Sequence, residues 1–512
     1  MSERIFLSTT IPYVNARPHL GHALELVQAD VLARHYRQRG DLVRFQSGTD
    51  DNSLKNVLAA RAESVAVAEL VRRNAGAFEA LRGELDLSFD DFISTSSDPR
   101  HRPAAERLWR ACAASGDLYR RRYEGLYCVG CEQFYREAEL VAGRCPEHGT
   151  EPVLVAEENW FFRLSRYAGE LHEVISSGRL RVEPAARRNE VLAFIEAGLE
   201  DFSISRSTER AHGWGIPVPG DPGQVMYVWW EALGNYISAL DYGTGGDEYR
   251  RWWRGGGRRV HLLGKGVLRF HAVCWPAMLL SAGEPLPTDV LVHDYLTVDG
   301  RKISKSGGTA GLADPAALAR QFGADAVRWW LLREVPRVGD ADFTAGRLVA
   351  RTNGDLAGGL GNLVSRTVAM VHRYRGGVVP SAPDDPGARQ LTAACERAPG
   401  LVRAALDGYD FRAATAAVWD IVDAANRYIE QARPWRLAKA GGDGEPGAAA
   451  RLDAVLAAAI GACRCLAVLL APFIPATAAR VEAQCGPGVL RGAEPIFARV
   501  SLAHSEVTQS YN

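Results

Sequence analysis

The first fifty residues change hydrophobic period twice. Residues 4–10 form a short run rich in branched and apolar side chains, which predicts a buried strand. A loop carrying Pro12, Asn15 and Pro18 follows. LGHALELVQADVLARHYRQRG (20–40) places apolar residues at helical spacing and stops at Gly40. LVRFQSGTD (42–50) then reads as a second strand ending in a turn. Strand, loop, helix, strand is how a parallel α/β sheet begins.

The pattern changes near residue 113. From there to about 222 the chain carries CVGC, CPEH, several aromatics and few long helical stretches, which predicts an insertion. The α/β pattern resumes in MYVWWEALGNYISAL (226–240) and RRVHLLGKGVLRFHAV (258–273). From 346 the chain is rich in Ala and Leu at helical spacing over 347–375, 386–406, 411–440 and 447–482. These predict an all-α bundle. AGGDGEPGAAA (440–450) is a flexible connection. The expected organisation is an α/β domain in two halves (1–112 and 223–292), an insertion (113–222), a linking region (293–345) and a bundle (346–512).

Composition narrows the chemistry. The 512 residues carry a net charge of −1, so no global basic field attracts polyanions, and only a local phosphate site is left open. The apolar stretch around Leu466–Pro475 is interrupted by prolines and falls short of the roughly 20 residues that span a bilayer. No charged n-region and apolar core open the chain, so no signal peptide and no membrane partner are expected. Nine cysteines fit a reducing, cytoplasmic setting. Only five of the 60 basic residues are lysine: Lys55, Lys265, Lys302, Lys305 and Lys439. Two of them fall in KISKS (302–306), and lysine's compact ammonium is not interchangeable with arginine's planar fork at a tight phosphate site.

Three constellations carry chemistry. Cys128-x-x-Cys131 and Cys145-x-x-His148 have the spacing of a tetrahedral zinc site, and four protein ligands leave no open position, which points to one structural ion. His19-Leu20-Gly21-His22 sits at a strand–loop–helix junction, where free helix N–H groups favour phosphate. Its two imidazoles, three residues apart, share one helix face. KISKS, with Gly300, Gly307 and Gly308 around it, describes a loop able to close over negative charge. Together the last two suit attack on the α-phosphate of a triphosphate, where positioning and charge stabilisation supply most of the catalysis. Walker A and protein-kinase signatures are absent.

HLGH and KISKS resemble the HIGH and KMSKS signatures of class I aminoacyl-tRNA synthetases. IPYVNARPHLGH, GTDDNSLK, CVGCEQF…CPEHG, EENWFFRLSRY, LGKGVLRFHAVCWPAMLLSAG, LGNLVSRTVAMV and QARPW extend the likeness over nearly the whole chain, to the methionyl-tRNA synthetases. The resemblance implies a Rossmann-type parallel-sheet catalytic domain with a zinc-knuckle insertion, then a helical-bundle anticodon-binding domain. It implies Mg2+-ATP, L-methionine and tRNA(Met) with its CAU anticodon as partners. His19 and His22 would stabilise the ATP phosphates and Lys302 and Lys305 the leaving pyrophosphate, with Gly21, Gly264 and Ser304 completing the ATP site. Ile11, Tyr13, Trp229, Ala232, Tyr236 and His271 would line the amino-acid pocket, with Asp50 pairing the α-ammonium. Sulfur–aromatic contacts suit such a cavity to a thioether. Asn362, Arg366, Pro434 and Trp435 match the family's anticodon reader, as stacking and edge contacts to unpaired bases require.

Four positions depart from the family pattern. Asn52 and Ser53 stand where a His and a Gly are usual, Glu231 where an Asp is, and Gly266 where an acid contacts the ATP ribose. They leave two alternatives open: a paralogue that activates another amino acid or confers inhibitor resistance, and a non-catalytic tRNA-binding module. Intact HLGH and KISKS favour the enzyme, and the absence of a C-terminal OB-type domain before residue 512 leads to an expected monomer.

Overall fold

The computed structural model describes residues 2–129, 133–147, 149–298, 300–303, 313–382 and 385–502, apart from the side chains of Gln133 and Lys302. It divides into two compact units.

The first unit comprises residues up to 18, 36–82 and 88–293. Its centre is a six-stranded parallel sheet in the order Asp91–Ser94, Leu42–Thr49, Arg4–Thr9, Arg258–Gly264, Asp289–His293, Arg181–Glu183. Ile5, Phe6, Leu7, Val260, Leu262, Leu263 and Val290 are buried, as expected of strands covered on both faces. Leu42–Thr49 meets Asp91–Ser94 so closely at Gly48 that an added Cβ would lie 2.2 Å from the Ile93 carbonyl oxygen. The strand order reverses between Arg4–Thr9 and Arg258–Gly264, which makes their carboxyl ends the topological switch point where ligands of such sheets bind.

The region expected to be an insertion supplies a four-stranded antiparallel sheet, in the order Gln133–Tyr135, Leu118–Cys128, Val153–Phe162, Phe202–Ser203. It also gives one strand, Arg181–Glu183, to the edge of the parallel sheet.

The second unit gathers residues 19–35, 83–87 and 294–512. Its small sheet pairs Leu296–Val298 with Arg301–Lys302 and with Ala341–Phe343. Helices Ala324–Arg333, Asn362–Arg375, Arg389–Asp407, Phe411–Ala432, Ala448–Leu470 and Pro475–Cys485 build the bundle.

Three of the long helical runs expected from the sequence are interrupted. The first passes through a π-helical stretch at Thr352–Gly361, where TNGDLAGGLG combines four glycines with short polar residues. The run from 411 ends at Ala432, because Arg433 turns left-handed (φ 48°) and Pro434 starts the next helix without an N–H to donate. The run from 447 breaks after Leu470 ahead of Pro472 and Pro475. Ala448–Leu470 is long and apolar enough to cross a bilayer, yet Leu452, Val455, Leu456, Ile460, Leu466 and Leu470 are buried in the bundle core.

One charged residue lies in the middle of this unit. Arg328 is fully buried and pairs with the equally buried Asp30 of helix Leu20–Gln38 at 2.7 Å. Its remaining N–H groups donate to the carbonyls of Phe473 (2.8 Å), Pro472 (3.0 Å), Leu85 (3.1 Å) and Asp86 (3.3 Å). The guanidinium thus satisfies backbone acceptors exposed where helices end.

Candidate active site

In the first unit the sequence-derived pocket residues converge on His271. Trp229 lies edge-on to its ring (centroids 6.4 Å apart), and Tyr236 approaches it at 5.7 Å. Tyr13 stands 6.1 Å from Trp229 on the other side. Gly234 separates two short helices, Val228–Leu233 and Asn235–Ser238, and the rings of Trp229 and Tyr236 meet at His271. Ala232 is buried beside them.

Hydrogen bonds fix the protonation of these imidazoles. The Val267 carbonyl only accepts, so His271 Nδ1 carries the proton that bridges their 2.9 Å. Nε2 is then the acceptor for the Tyr236 hydroxyl at 2.7 Å. Beneath Tyr236, with centroids 4.1 Å apart, lies His261. Its Nε2 accepts from Trp275 Nε1 at 3.2 Å, and its Nδ1 pairs with Ser8 Oγ at 2.6 Å. Burial holds His261 well below the ordinary histidine range. The pocket wall is therefore aromatic, with a neutral His261 behind it.

Asp50, buried, follows strand Leu42–Thr49 and pairs in a bridge with Tyr13, and its N–H donates to the Pro12 carbonyl at 2.9 Å. Lys55 lies over the Tyr13 ring at 5.1 Å. Ile11 lies above Gly48, whose added Cβ would come within 3.0 Å of the Ile11 side chain. Gly264 closes strand Arg258–Gly264, and Gly266 is exposed in the turn Lys265–Val267 just beyond it. Ser53 has a local use: it caps helix Leu54–Ala62, accepting from the Lys55 N–H at 3.1 Å.

Two groups here escaped the sequence reading. Phe270 stacks flat on Trp229, with centroids 4.1 Å apart and planes 3° from parallel. Asp51 accepts from the Ser96 hydroxyl (2.8 Å) and N–H (3.2 Å) and from the Ser94 hydroxyl. Burial nonetheless pushes its carboxyl above the usual range. The adjacency of Phe270 to His271 was the one available signal for Phe270.

In the second unit, helix Leu20–Gln38 begins inside HLGH. The rings of His19 and His22 stack with centroids 3.8 Å apart and planes 25° from parallel. The His19 N–H donates to His22 Nδ1, and the Gly21 N–H to His19 Nδ1, each at 3.1 Å. An N–H donor requires an unprotonated Nδ1, so in their neutral forms both rings carry their proton on Nε2. The pair thus offers two ring N–H donors beside the N-terminal turn of a 19-residue helix, a combination suited to phosphate oxygens. Gly21 permits this: an added Cβ would sit 2.9 Å from the His19 ring.

The same unit holds the start of KISKS. Lys302 pairs in register with Thr297 in a hairpin, and Ile303 is buried. The Gly300 N–H and the Thr297 hydroxyl both bind Asp342 Oδ1, at 2.8 and 2.7 Å, and tie this turn to strand Ala341–Phe343. Ser304 and Lys305 lie outside the described residues.

On the bundle, Arg366 forks onto Glu430 (2.7 Å) and Asn426 Oδ1 (2.8 Å) of helix Phe411–Ala432. Asn362, one turn earlier on its helix, is exposed. The left-handed Arg433 and buried Pro434 turn the chain so that Trp435 stands 45% exposed. A tryptophan so open at a helix start is available to stack on a base.

Cys128, at the end of strand Leu118–Cys128, and Cys145 are both buried and share one small cluster with Tyr135 and Leu140. The Cys145 turn is closed by Gly149 N–H donating to its carbonyl at 2.8 Å. Cys131 and His148 lie outside the described residues. Two buried thiols brought together from separate turns fit half of a zinc-ligand set.

These features can be set beside known proteins. A family model for "tRNA synthetases class I (M)" matches residues 5–153 and 147–368, which defines the chain as a class I aminoacyl-tRNA synthetase. A second, "Anticodon binding domain of methionyl tRNA ligase", matches residues 381–489. Methionine–tRNA ligase of Mesorhizobium japonicum is 41% identical over 493 residues, covering 94% of this chain and 90% of that one. The enzyme of Caldanaerobacter subterraneus is 39% identical over 488 residues, covering 95% and 74%. The structure of Mycobacterium tuberculosis methionyl-tRNA synthetase in complex with methionyl-adenylate superposes with a TM-score of 0.90 at 36% identity, covering 97% of this chain and 100% of that one. The chain belongs to the methionyl-tRNA synthetase family.

Proposed function

We propose that the methionine–tRNA ligase activity of this family is carried here by the residues described above. The observation that supports this most directly is the aromatic pocket around His271, bounded by Tyr13, Trp229 and Tyr236. Its rings suit the thioether, and Asp50 supplies a carboxylate for the α-ammonium.

In the first step the methionine carboxylate attacks the α-phosphorus of ATP and pyrophosphate leaves. Mg2+ enters with ATP and neutralises phosphate charge. His19 and His22 donate to the phosphates through Nε2–H, and Lys302 and Lys305 take up charge on the pyrophosphate, with Gly21, Gly264 and Ser304 at the nucleotide. In the second step a ribose hydroxyl of the tRNA's terminal adenosine attacks the acyl carbon and AMP leaves. Asn362, Arg366, Pro434 and Trp435 read the CAU anticodon. No side-chain nucleophile is needed.

Cys128, Cys131, Cys145 and His148 hold one zinc ion that shapes the insertion, with the buried Cys128 and Cys145 as support. Residues 1–112 and 223–292 act as halves of one catalytic domain. The protein works as a cytoplasmic monomer.

The test is amino-acid-dependent ATP–pyrophosphate exchange across the twenty amino acids and methionine analogues. Exchange driven by methionine is expected. Exchange driven by another amino acid, with none by methionine, would overturn the substrate assignment.

A further inference from the structure

Two of the departures from the family pattern, far apart in sequence, meet in the first unit. Asn52 Nδ2 donates to Glu231 Oε1 at 2.9 Å. The other oxygen of Glu231 binds His101 Nε2. His101 Nδ1 lies 2.9 Å from Ser238 Oγ, and the Ser238 hydroxyl lies 3.1 Å from the Asn235 carbonyl. Asn235 Oδ1 accepts from Gln46 Nε2 at 2.8 Å, which anchors the chain of bonds to strand Leu42–Thr49. Gln46, His101, Glu231, Asn235 and Ser238 are each at most 1% exposed.

The inventory of donors fixes what each group does. The Ser238 proton goes to the Asn235 carbonyl, so Ser238 Oγ accepts from His101 Nδ1–H. One further proton is held between His101 Nε2 and Glu231 Oε2. Glu231 Oε1 then remains as an acceptor with a single job, which is to hold Asn52. A buried carboxylate with both oxygens engaged cannot swing without leaving a polar group unsatisfied. Asn52 in turn donates its backbone N–H to Asp50 Oδ1 at 3.3 Å. Glu231 itself sits in helix Val228–Leu233 between Trp229 and Ala232. The network therefore connects the pocket wall to the carboxylate at its polar end.

The side-chain lengths are matched. The family resemblance implies a His at 52 and an Asp at 231, and this chain bonds a shorter Asn to a longer Glu. Each departure alone would open or close the span by about one bond length, and together they preserve it.

We infer that Asn52 and Glu231 are a length-matched positioning pair that sets the Asp50 carboxylate for the α-ammonium of the bound amino acid. This rests on the assignment of Asp50 under the proposed function. The test is a double-mutant cycle read by ATP–pyrophosphate exchange, with KM measured separately for methionine and ATP. Asn52→Ala, Asn52→His and Glu231→Asp should each raise the methionine KM by about tenfold, the size of one lost hydrogen bond to a charged group, and leave the ATP KM within about twofold. Asn52→His combined with Glu231→Asp should return the methionine KM to within about threefold of the parent.

An unmoved methionine KM in Asn52→Ala would overturn the inference, as would parallel rises in both KM values or a double variant as impaired as the two single changes added. Asn52 is only half-buried, so its alanine variant keeps the test decisive even where Glu231→Asp fails to fold. Failure of the underlying assignment is distinguishable, because Asp50→Asn would then leave the methionine KM of the parent protein unmoved.

Discussion

Arg328→Met keeps most of a buried volume and removes a buried charge, and its cost follows from the bonds it breaks. The guanidinium gives up Asp30 at 2.7 Å and four carbonyls between 2.8 and 3.3 Å. Breaking one side of a buried ion pair costs about 3–5 kcal/mol, because the remaining charge keeps its desolvation penalty without its partner. Arg34 moderates this, since its Nε stays 2.8 Å from the same Asp30 oxygen. The orphaned carbonyls of Pro472 and Phe473, at a break between two helices, add a part of about 1–3 kcal/mol each that entering water reduces. The expected loss is about 3–4 kcal/mol. Urea unfolding followed by far-ultraviolet circular dichroism should show it as a lowered midpoint at unchanged slope. The double variant Asp30→Met with Arg328→Met should recover at least about 1 kcal/mol of that loss, because no unpaired charge is left inside. A single-variant loss below about 1 kcal/mol, or a double variant no better than the single, would refute the reasoning.

Four other outcomes are expected. His261 is neutral in the folded chain because its pKa lies well below 6.5 there, while the unfolded chain binds a proton near that value. Its contribution is therefore complete above pH 6.5 and lost as the pH falls below it, so His261→Asn should flatten the dependence of the melting temperature between pH 7 and pH 5, and parallel profiles would contradict this. Trp435→Ala should lower kcat/KM for tRNA by about 5- to 150-fold, the worth of one base–aromatic stack, with pyrophosphate exchange unaffected. Gly266→Asp, at an exposed position with ordinary backbone angles, should lower the ATP KM by about tenfold if a carboxylate at this turn contacts the ribose. Cys128→Ser should lower the zinc content from one ion per chain, measured by atomic emission, and lower the melting temperature of the insertion.

Local physics reached a long way into this protein. The period of 4–10 and 20–40, with Gly40 as stop, gave the strand Arg4–Thr9 and the helix Leu20–Gln38 within a residue or two. HLGH implied two imidazoles on one helix face, and the stack of His19 on His22 follows from that spacing. Helical period held over 347–375, with π-helical winding at Thr352–Gly361, and failed at Arg433 and at Ala471–Ile474. At those two places proline overrides the apolar repeat, and its fixed φ and missing N–H end the helix whatever its hydrophobic face would favour.

What the sequence by itself determined is what depends on neighbours along the chain: element type, the motifs and their spacings, and the likeness to a family. Only the tertiary structure decided which distant groups complete one another. Arg328 reads as a charge on an apolar helix until Asp30 and four carbonyls surround it. Phe270 reads as core until it is found flat on Trp229. Asn52 and Glu231 look like two independent losses until the bond between them is seen. The reason is common to all three. A hydrogen bond or a ring contact acts over about 3–6 Å, and residues 41 to 298 positions apart come that close only when the chain folds.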